Sequence, residues 1–145
     1  MAEPFRVLVV DDEDEFRETL VKRLKARNLD VRGIDSGQGA LDLMKKIVFD
    51  VVVLDVKMPV MDGITALEEM KKKMPLVEVI LLTGHASLEA GIEGMKLGAF
   101  DYVMKPVNVD ELIEKVREAY ERKIIREERL RVNHSRGNSS RPKNS

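Results

Sequence analysis

Val51-Val-Val-Leu-Asp55 is a run of four apolar residues, three of them β-branched, that ends on a carboxylate. A strand with one wet face alternates polar and apolar residues. A run without alternation reads as a strand covered on both faces, as in a parallel sheet flanked by helices. Similar runs stand at Arg6-Val-Leu-Val-Val10, Val77-Glu-Val-Ile-Leu-Leu82 and, more weakly, Asp101-Tyr-Val-Met104. Asp30-Val-Arg-Gly-Ile34 is a poorer strand and reads as a sheet edge. Between the runs the period changes to that of a helix. Phe16, Leu20 and Leu24 mark one helical face, and Ala40, Leu41, Met44 and Ile47 a second, entered through Ser36 as N-cap. Ile64, Leu67 and Met70 mark a third, closed by Met74-Pro75. A fourth runs from about Ser87 to Leu97, with Gly98 as its left-handed terminator. The fifth opens with Asn108 and Glu111 in capping-box spacing. Five strands alternating with five helices predict an α/β fold, a doubly wound parallel sheet.

The bulk properties agree and remove several function classes. A chain of 145 residues, 43% hydrophobic and 35% charged, makes a single globular domain. Its net charge of -1 leaves no basic footprint for direct nucleic-acid binding or for an anionic membrane surface. With no cysteine there are no disulfides, thiol catalysis or cysteine metal sites. No apolar run approaches the ~18 residues of a membrane span, and the acidic MAEPFR start is unlike a signal peptide, so the expectation is a cytoplasmic protein.

After Val107 the composition shifts. Residues 114–131 (EKVREAYERKIIREERLR) alternate charges around a stripe of Val116, Tyr120 and Ile124, which carries the helix to about Glu128. A strict heptad fails at Lys123 and Glu127. The stretch reads first as a solvated helix face, with partner docking as the alternative. Residues 133–145 (NHSRGNSSRPKNS) lack core-forming residues and are expected to be a disordered tail.

In an open α/β sheet, ligands bind beyond the carboxyl ends of the strands. The first strand ends in Asp11-Asp12, the third in Asp55, the fourth in Thr83 and the fifth in Lys105-Pro106. Each residue alone has a plain reading. Asp11 or Asp12 can cap the following helix, Thr83 can form a turn, and Lys105 can be a surface lysine. Asp55 is harder to explain, because no helix starts at Val56-Lys57-Met58-Pro59. Their coincidence on one rim is the informative feature. Three carboxylates held together repel and raise at least one pKa, and a hard divalent cation relieves the repulsion. All-oxygen ligation with few protein groups suits Mg²⁺. A Lys and a Thr beside it complete a clamp for a phosphoryl group, and one carboxylate can serve as nucleophile.

These residues resemble a known family over roughly residues 4–123. The matching pieces are Val9-Val-Asp-Asp-Glu13, Leu54-Asp-Val-Lys-Met-Pro59 with Asp62-Gly63, Leu82-Thr-Gly84, and Gly98-Ala-Phe-Asp-Tyr-Val-Met-Lys-Pro106. Together they resemble the receiver domain of two-component response regulators, the CheY-like family. The resemblance implies a flavodoxin-like five-stranded sheet in the order 2-1-3-4-5. It implies that Asp55 accepts a phosphoryl group from a histidine kinase or phosphotransfer protein. It makes Asp12 a direct Mg²⁺ ligand, Asp11 an assisting one, and the backbone carbonyl of Lys57 another. Thr83 and Lys105 would contact the phosphoryl oxygens, and Lys105-Pro106 would be a cis peptide. Thr83 would then move towards the phosphorylated Asp55, with Tyr102 as the switch aromatic that moves after it. Lys57 and His85 would tune the phosphate's lifetime. Output would run through the face of the fourth helix, fifth strand and fifth helix, to a downstream partner or as a homodimer.

The resemblance implies a regulatory phosphoacceptor whose only chemistry is its own phosphorylation and dephosphorylation. The rival is a Mg²⁺-dependent phosphohydrolase using Asp55 as nucleophile, but no insertion is long enough for a substrate-covering cap. A nucleotide-binding module is disfavoured by acids where the first strand would need a glycine-rich loop. Residues 124–132 are expected to be a helix extension or linker. The stretch after residue 123 is too short for an effector domain, so the chain is expected either to act alone or to belong to a longer regulator.

Overall fold

The computed structural model describes residues 5–144, with side chains described as far as His134. The expected domain start at residue 4 and the last tail residue, Ser145, lie outside the described residues. Five strands, β1 (Arg6–Val10), β2 (Asp30–Ile34), β3 (Val51–Asp55), β4 (Glu78–Thr83) and β5 (Asp101–Met104), form one parallel sheet in the order β2-β1-β3-β4-β5. The helices are α1 (Asp14–Lys25), α2 (Gly37–Met44), α3 (Gly63–Lys73), α4 (Leu88–Lys96) and α5 (Val109–Asn144), with a 3₁₀ turn at His85–Ser87 before α4. The flavodoxin-like architecture expected from the sequence is therefore present.

The uninterrupted apolar runs have a direct cause. Val52 and Leu54 of β3 join the core beneath α2, α3 and α4, while Val51 and Val53 join the core beneath α1 and α5. Every β3 residue is buried, so neither face tolerates a polar side chain except at the strand's end. At the β2 edge only Val31 is buried. Ser36 caps α2 by accepting from the Gly39 N–H at 3.0 Å, and Asp62 caps α3 by accepting from the Thr65 N–H at 2.9 Å. Gly98 ends α4 with φ of 107°.

The register sets the level of the rim. Val10 pairs with Leu54, Asp55 with Leu82, and Thr83 with Met104. Asp11, Asp55, Thr83 and Lys105 thus emerge at one end of four adjacent strands.

At the opposite end the charged stretch of α5 is docked. Lys123, 7% exposed, donates to Asp50 at 2.8 Å. Arg122 and Arg126 reach Glu78 Oε2 at 3.1 and 3.3 Å, and Arg126 also donates to the Pro75 carbonyl. Glu78 is fully buried. The solvated-face reading therefore fails at Lys123 and in part at Arg126, while Arg122 stays exposed, because carboxylates at the N-terminal ends of β3 and β4 give the α5 cations partners. The helical backbone of α5 continues past Glu128 to Asn144.

Candidate functional site

Asp55 is 6% exposed at the end of β3. The backbone behind it is fixed by close packing of α3. The Gly63 N–H donates to the Val56 carbonyl at 2.8 Å, and the Val56 N–H to the Leu82 carbonyl at 3.0 Å. A Cβ on Gly63 would stand 2.7 Å from the Val56 Cα and closer still to the Asp55 carbonyl oxygen. Only glycine lets α3 approach the functional strand end this closely. Between Asp55 and Gly63, Val60 has φ of 69° and is fully exposed. A β-branched side chain in the left-handed region is strained, at a cost of about 1–2 kcal/mol.

Lys105 ties the carboxylates together. Its Nζ lies 3.1 Å from Asp11 Oδ2, 3.5 Å from Asp55 Oδ1 and 3.7 Å from Glu13 Oε1. It also stands 4.5 Å from the centre of the Phe16 ring. Its backbone N–H donates to the Thr83 carbonyl at 2.8 Å, and the Lys105-Pro106 bond is cis, as the motif implies. Asp11 is fully buried and also accepts from the Glu13 N–H at 2.9 Å, but α1 is entered through Glu13 without a side-chain cap, so the capping reading of Asp11 is not realised. Arg17 holds the Asp11 carbonyl at 2.9 Å. Asp12 is exposed, yet carboxylate oxygens of Asp11, Asp12 and Asp55 all lie within 4.8 Å of one another.

This crowding sets the electrostatics. Burial, then the charge of Asp11, and lastly that of Asp12 push the Asp55 carboxyl up from 3.8 to about 6, against the opposing pull of Lys105 and the Lys57 N–H. Burial works against charging Lys105, but its hydrogen bond to Asp11 and the charges of Asp55, Asp11 and Glu13 prevail, holding the ammonium above its ordinary value. One ammonium does not balance three carboxylates, and the excess negative charge with all-oxygen donors is the chemistry of a hard-cation site.

The remaining predicted residues surround this cluster. Thr83 is 1% exposed, and its hydroxyl bonds the Gly84 carbonyl at 3.2 Å and the Ser87 hydroxyl at 3.1 Å. Tyr102 is half-buried against the core on the α4 side of the sheet. Lys57 and His85 are exposed, and the backbone N–H of Lys57 lies 3.5 Å from Asp55 Oδ1. Sequence reasoning missed four contributors: Phe16 under Lys105, Arg17 on Asp11, Gly63 behind Asp55 and Ser87 on Thr83. The spacing of Phe16 describes a core stripe, and nothing in it marks the cation above the ring. Gly63 stands in a motif, but its steric reason is visible only in three dimensions.

Comparison with known proteins agrees with this geometry. The family model for the response regulator receiver domain matches residues 7–117. The regulatory protein AtoC of Escherichia coli is 43% identical over 107 residues, 74% of this chain and 23% of AtoC. The DNA-binding transcriptional regulator NtrC of Klebsiella pneumoniae is 35% identical, over 72% of this chain and 22% of NtrC. The chain thus spans about a quarter of the length of these curated relatives. Among solved structures, a response regulator receiver domain protein from Clostridium thermocellum superposes with a TM-score of 0.80 at 35% identity, covering 83% of this chain and 98% of that one. The receiver domain of NtrX from Brucella abortus gives 0.76 at 30% identity, covering 79% and 98%. These relationships favour a phosphorylation-dependent signalling switch over the hydrolase. The chain belongs to the response regulator receiver domain family.

Proposed function

We propose that Asp55 is the phosphoacceptor of a two-component phosphorelay, taking a phosphoryl group from the phosphohistidine of a histidine kinase or phosphotransfer protein. The observation that carries this reading is the buried Asp55 carboxylate held beside Asp11 and 3.5 Å from the Lys105 ammonium. One Asp55 oxygen attacks phosphorus, the P–N bond to imidazole breaks, and an acyl phosphate remains. Lys105 stabilises the charge of the transferred group, and the Thr83 hydroxyl donates to it once turned towards Asp55. Asp11, Asp12, Asp55 and the Lys57 carbonyl would hold Mg²⁺, which supplies charge neutralisation at the phosphoryl oxygens. Thr83 and Tyr102 then bias the α4-β5-α5 face between two states, and Lys57 and His85 control access of water to the acyl phosphate.

In this reading residues 4–123 are the phosphoacceptor domain and 124–132 a linker whose start is tied to the sheet by Arg126. The protein is cytoplasmic and catalyses only its own phosphorylation and dephosphorylation. Its output passes to a protein partner, to an effector domain of a longer regulator or through a homodimer of that face. Among the described residues no helix is long and apolar enough to cross a membrane.

Acetyl phosphate with Mg²⁺ tests the reading. One phosphoryl group per chain, lost in Asp55→Asn, is expected. Many turnovers on varied phosphate esters would instead establish the hydrolase.

A further inference from the structure

Ser87 occupies the N-cap position of α4, where a serine hydroxyl ordinarily accepts from the helix's first free N–H groups. Here it makes no such bond. Its Oγ lies 3.1 Å from the Thr83 Oγ1, accepts from the Gly84 N–H at 3.2 Å, and stands 3.4 Å from the Gly84 carbonyl. The Thr83 hydroxyl also reaches the Gly84 carbonyl, at 3.2 Å. The two hydroxyls and the Gly84 backbone therefore close a small ring of hydrogen bonds behind the rim. A hydroxyl has one proton to donate, and within this ring the Thr83 proton is spent on Ser87 or on Gly84. To donate to a phosphoryl oxygen on Asp55, Thr83 must break the ring.

We infer that Ser87 is a positioning residue that holds the Thr83 hydroxyl away from Asp55 and ties its release to the start of α4. The tie is short in sequence and space. Leu88, the first residue of α4, comes directly after Ser87. One turn further, α4 lies on Thr83 through Gly91, where an added Cβ would stand 3.4 Å from the Thr83 methyl. When Thr83 turns to the phosphoryl group, Ser87 loses that partner and keeps only the Gly84 backbone. The off state thus carries a hydrogen bond that the on state lacks.

The inference rests on the phosphoacceptor reading of Asp55, and the test separates the two. The probe is beryllofluoride with Mg²⁺, a phosphoryl mimic, titrated against the wild-type chain and variants. Removing a competitor worth one net hydrogen bond makes Ser87→Ala bind the mimic about three- to tenfold more tightly. Ser87→Thr, which keeps the hydroxyl, binds as wild type does. In a Thr83→Ala background, Ser87→Ala changes nothing, because no hydroxyl is left to release. A general loosening of the turn would act in both backgrounds. A second readout needs neither metal nor mimic. The Thr83 methyl resonance of free Ser87→Ala moves part of the way towards its position in the mimic-bound wild type. Unchanged or weaker binding in Ser87→Ala, an equal gain without Thr83, or an unmoved methyl resonance each overturns the role of Ser87. Wild-type protein that does not bind the mimic, or Asp55→Asn that binds it as well, overturns the phosphoacceptor reading itself.

Discussion

Asp55 is held in its fold at a cost that the proposed phosphoacceptor role explains. Its carboxyl rises from 3.8 to about 6, so the folded chain binds more protons than the unfolded one between those values. By linkage, stability from this group is fully present below about pH 4 and is lost as pH rises towards 6. Metal-free wild type should therefore lose on the order of 2–3 kcal/mol relative to Asp55→Asn across that window, read by urea denaturation at each pH. Parallel pH profiles for the two proteins would contradict it. Val60 is strained for a different reason. It sits at φ of 69° in the loop that carries the chain from Asp55 to the Asp62 cap. Asparagine tolerates that conformation, so Val60→Asn should stabilise the chain by about 1 kcal/mol in thermal unfolding.

At the scale of elements, each helix start near the rim is built around a strand end. Asp62 caps α3, and Gly63 allows α3 to close on the Asp55 backbone. A methyl group there has no space against backbone atoms, so Gly63→Ala should cost about 1–3 kcal/mol in stability and lower acetyl phosphate labelling at Asp55. Unchanged labelling at full stability would show that the close approach is dispensable. The strands and most helices were legible because burial on both faces writes continuous apolar runs, and helical faces write a 3.6-residue period. The site was legible because strand order brings strand ends together, so Asp11, Asp55, Thr83 and Lys105 could be read as one rim. Gly63 and Ser87 were not, since a steric gap and a hydroxyl's choice of partner leave no periodic mark. Nor was Phe16, whose i,i+4 spacing describes a core stripe equally well.

Across the whole molecule the two ends of the sheet divide the work. Asp55 and Thr83 close β3 and β4 at one end, while Asp50 and Glu78 at the other receive Lys123, Arg122 and Arg126 from α5. Burial of Lys123 is outweighed by its bond to Asp50 and by the charges of Asp50 and Glu127, so its ammonium is held above the ordinary lysine value. Its stabilisation is therefore present at neutral pH and is lost as pH rises beyond that value. Sequence reasoning missed this anchor because a Glu inside an apolar run and a cation in a charged helix look unrelated until the fold pairs them. Removing the two arginines leaves the buried Glu78 carboxylate with Lys71 alone, 3.9 Å from its Oε1, whereas removing the carboxylate leaves two arginines partly in water. Arg122→Ala with Arg126→Ala should thus destabilise by about 3 kcal/mol, and more than Glu78→Gln, in urea denaturation. The reverse order would show that α5 is held by its apolar stripe alone.

In the proposed mechanism one carboxylate of the acidic rim, Asp55, carries the phosphoryl group, and its neighbours do not. Borohydride reduces an acyl phosphate to an alcohol, which converts a phosphorylated aspartate to homoserine. After acetyl phosphate and Mg²⁺, mass spectrometry of the reduced chain should place homoserine at residue 55 alone. Homoserine at residue 11 or 12, or phosphoryl transfer that leaves none, would contradict the account.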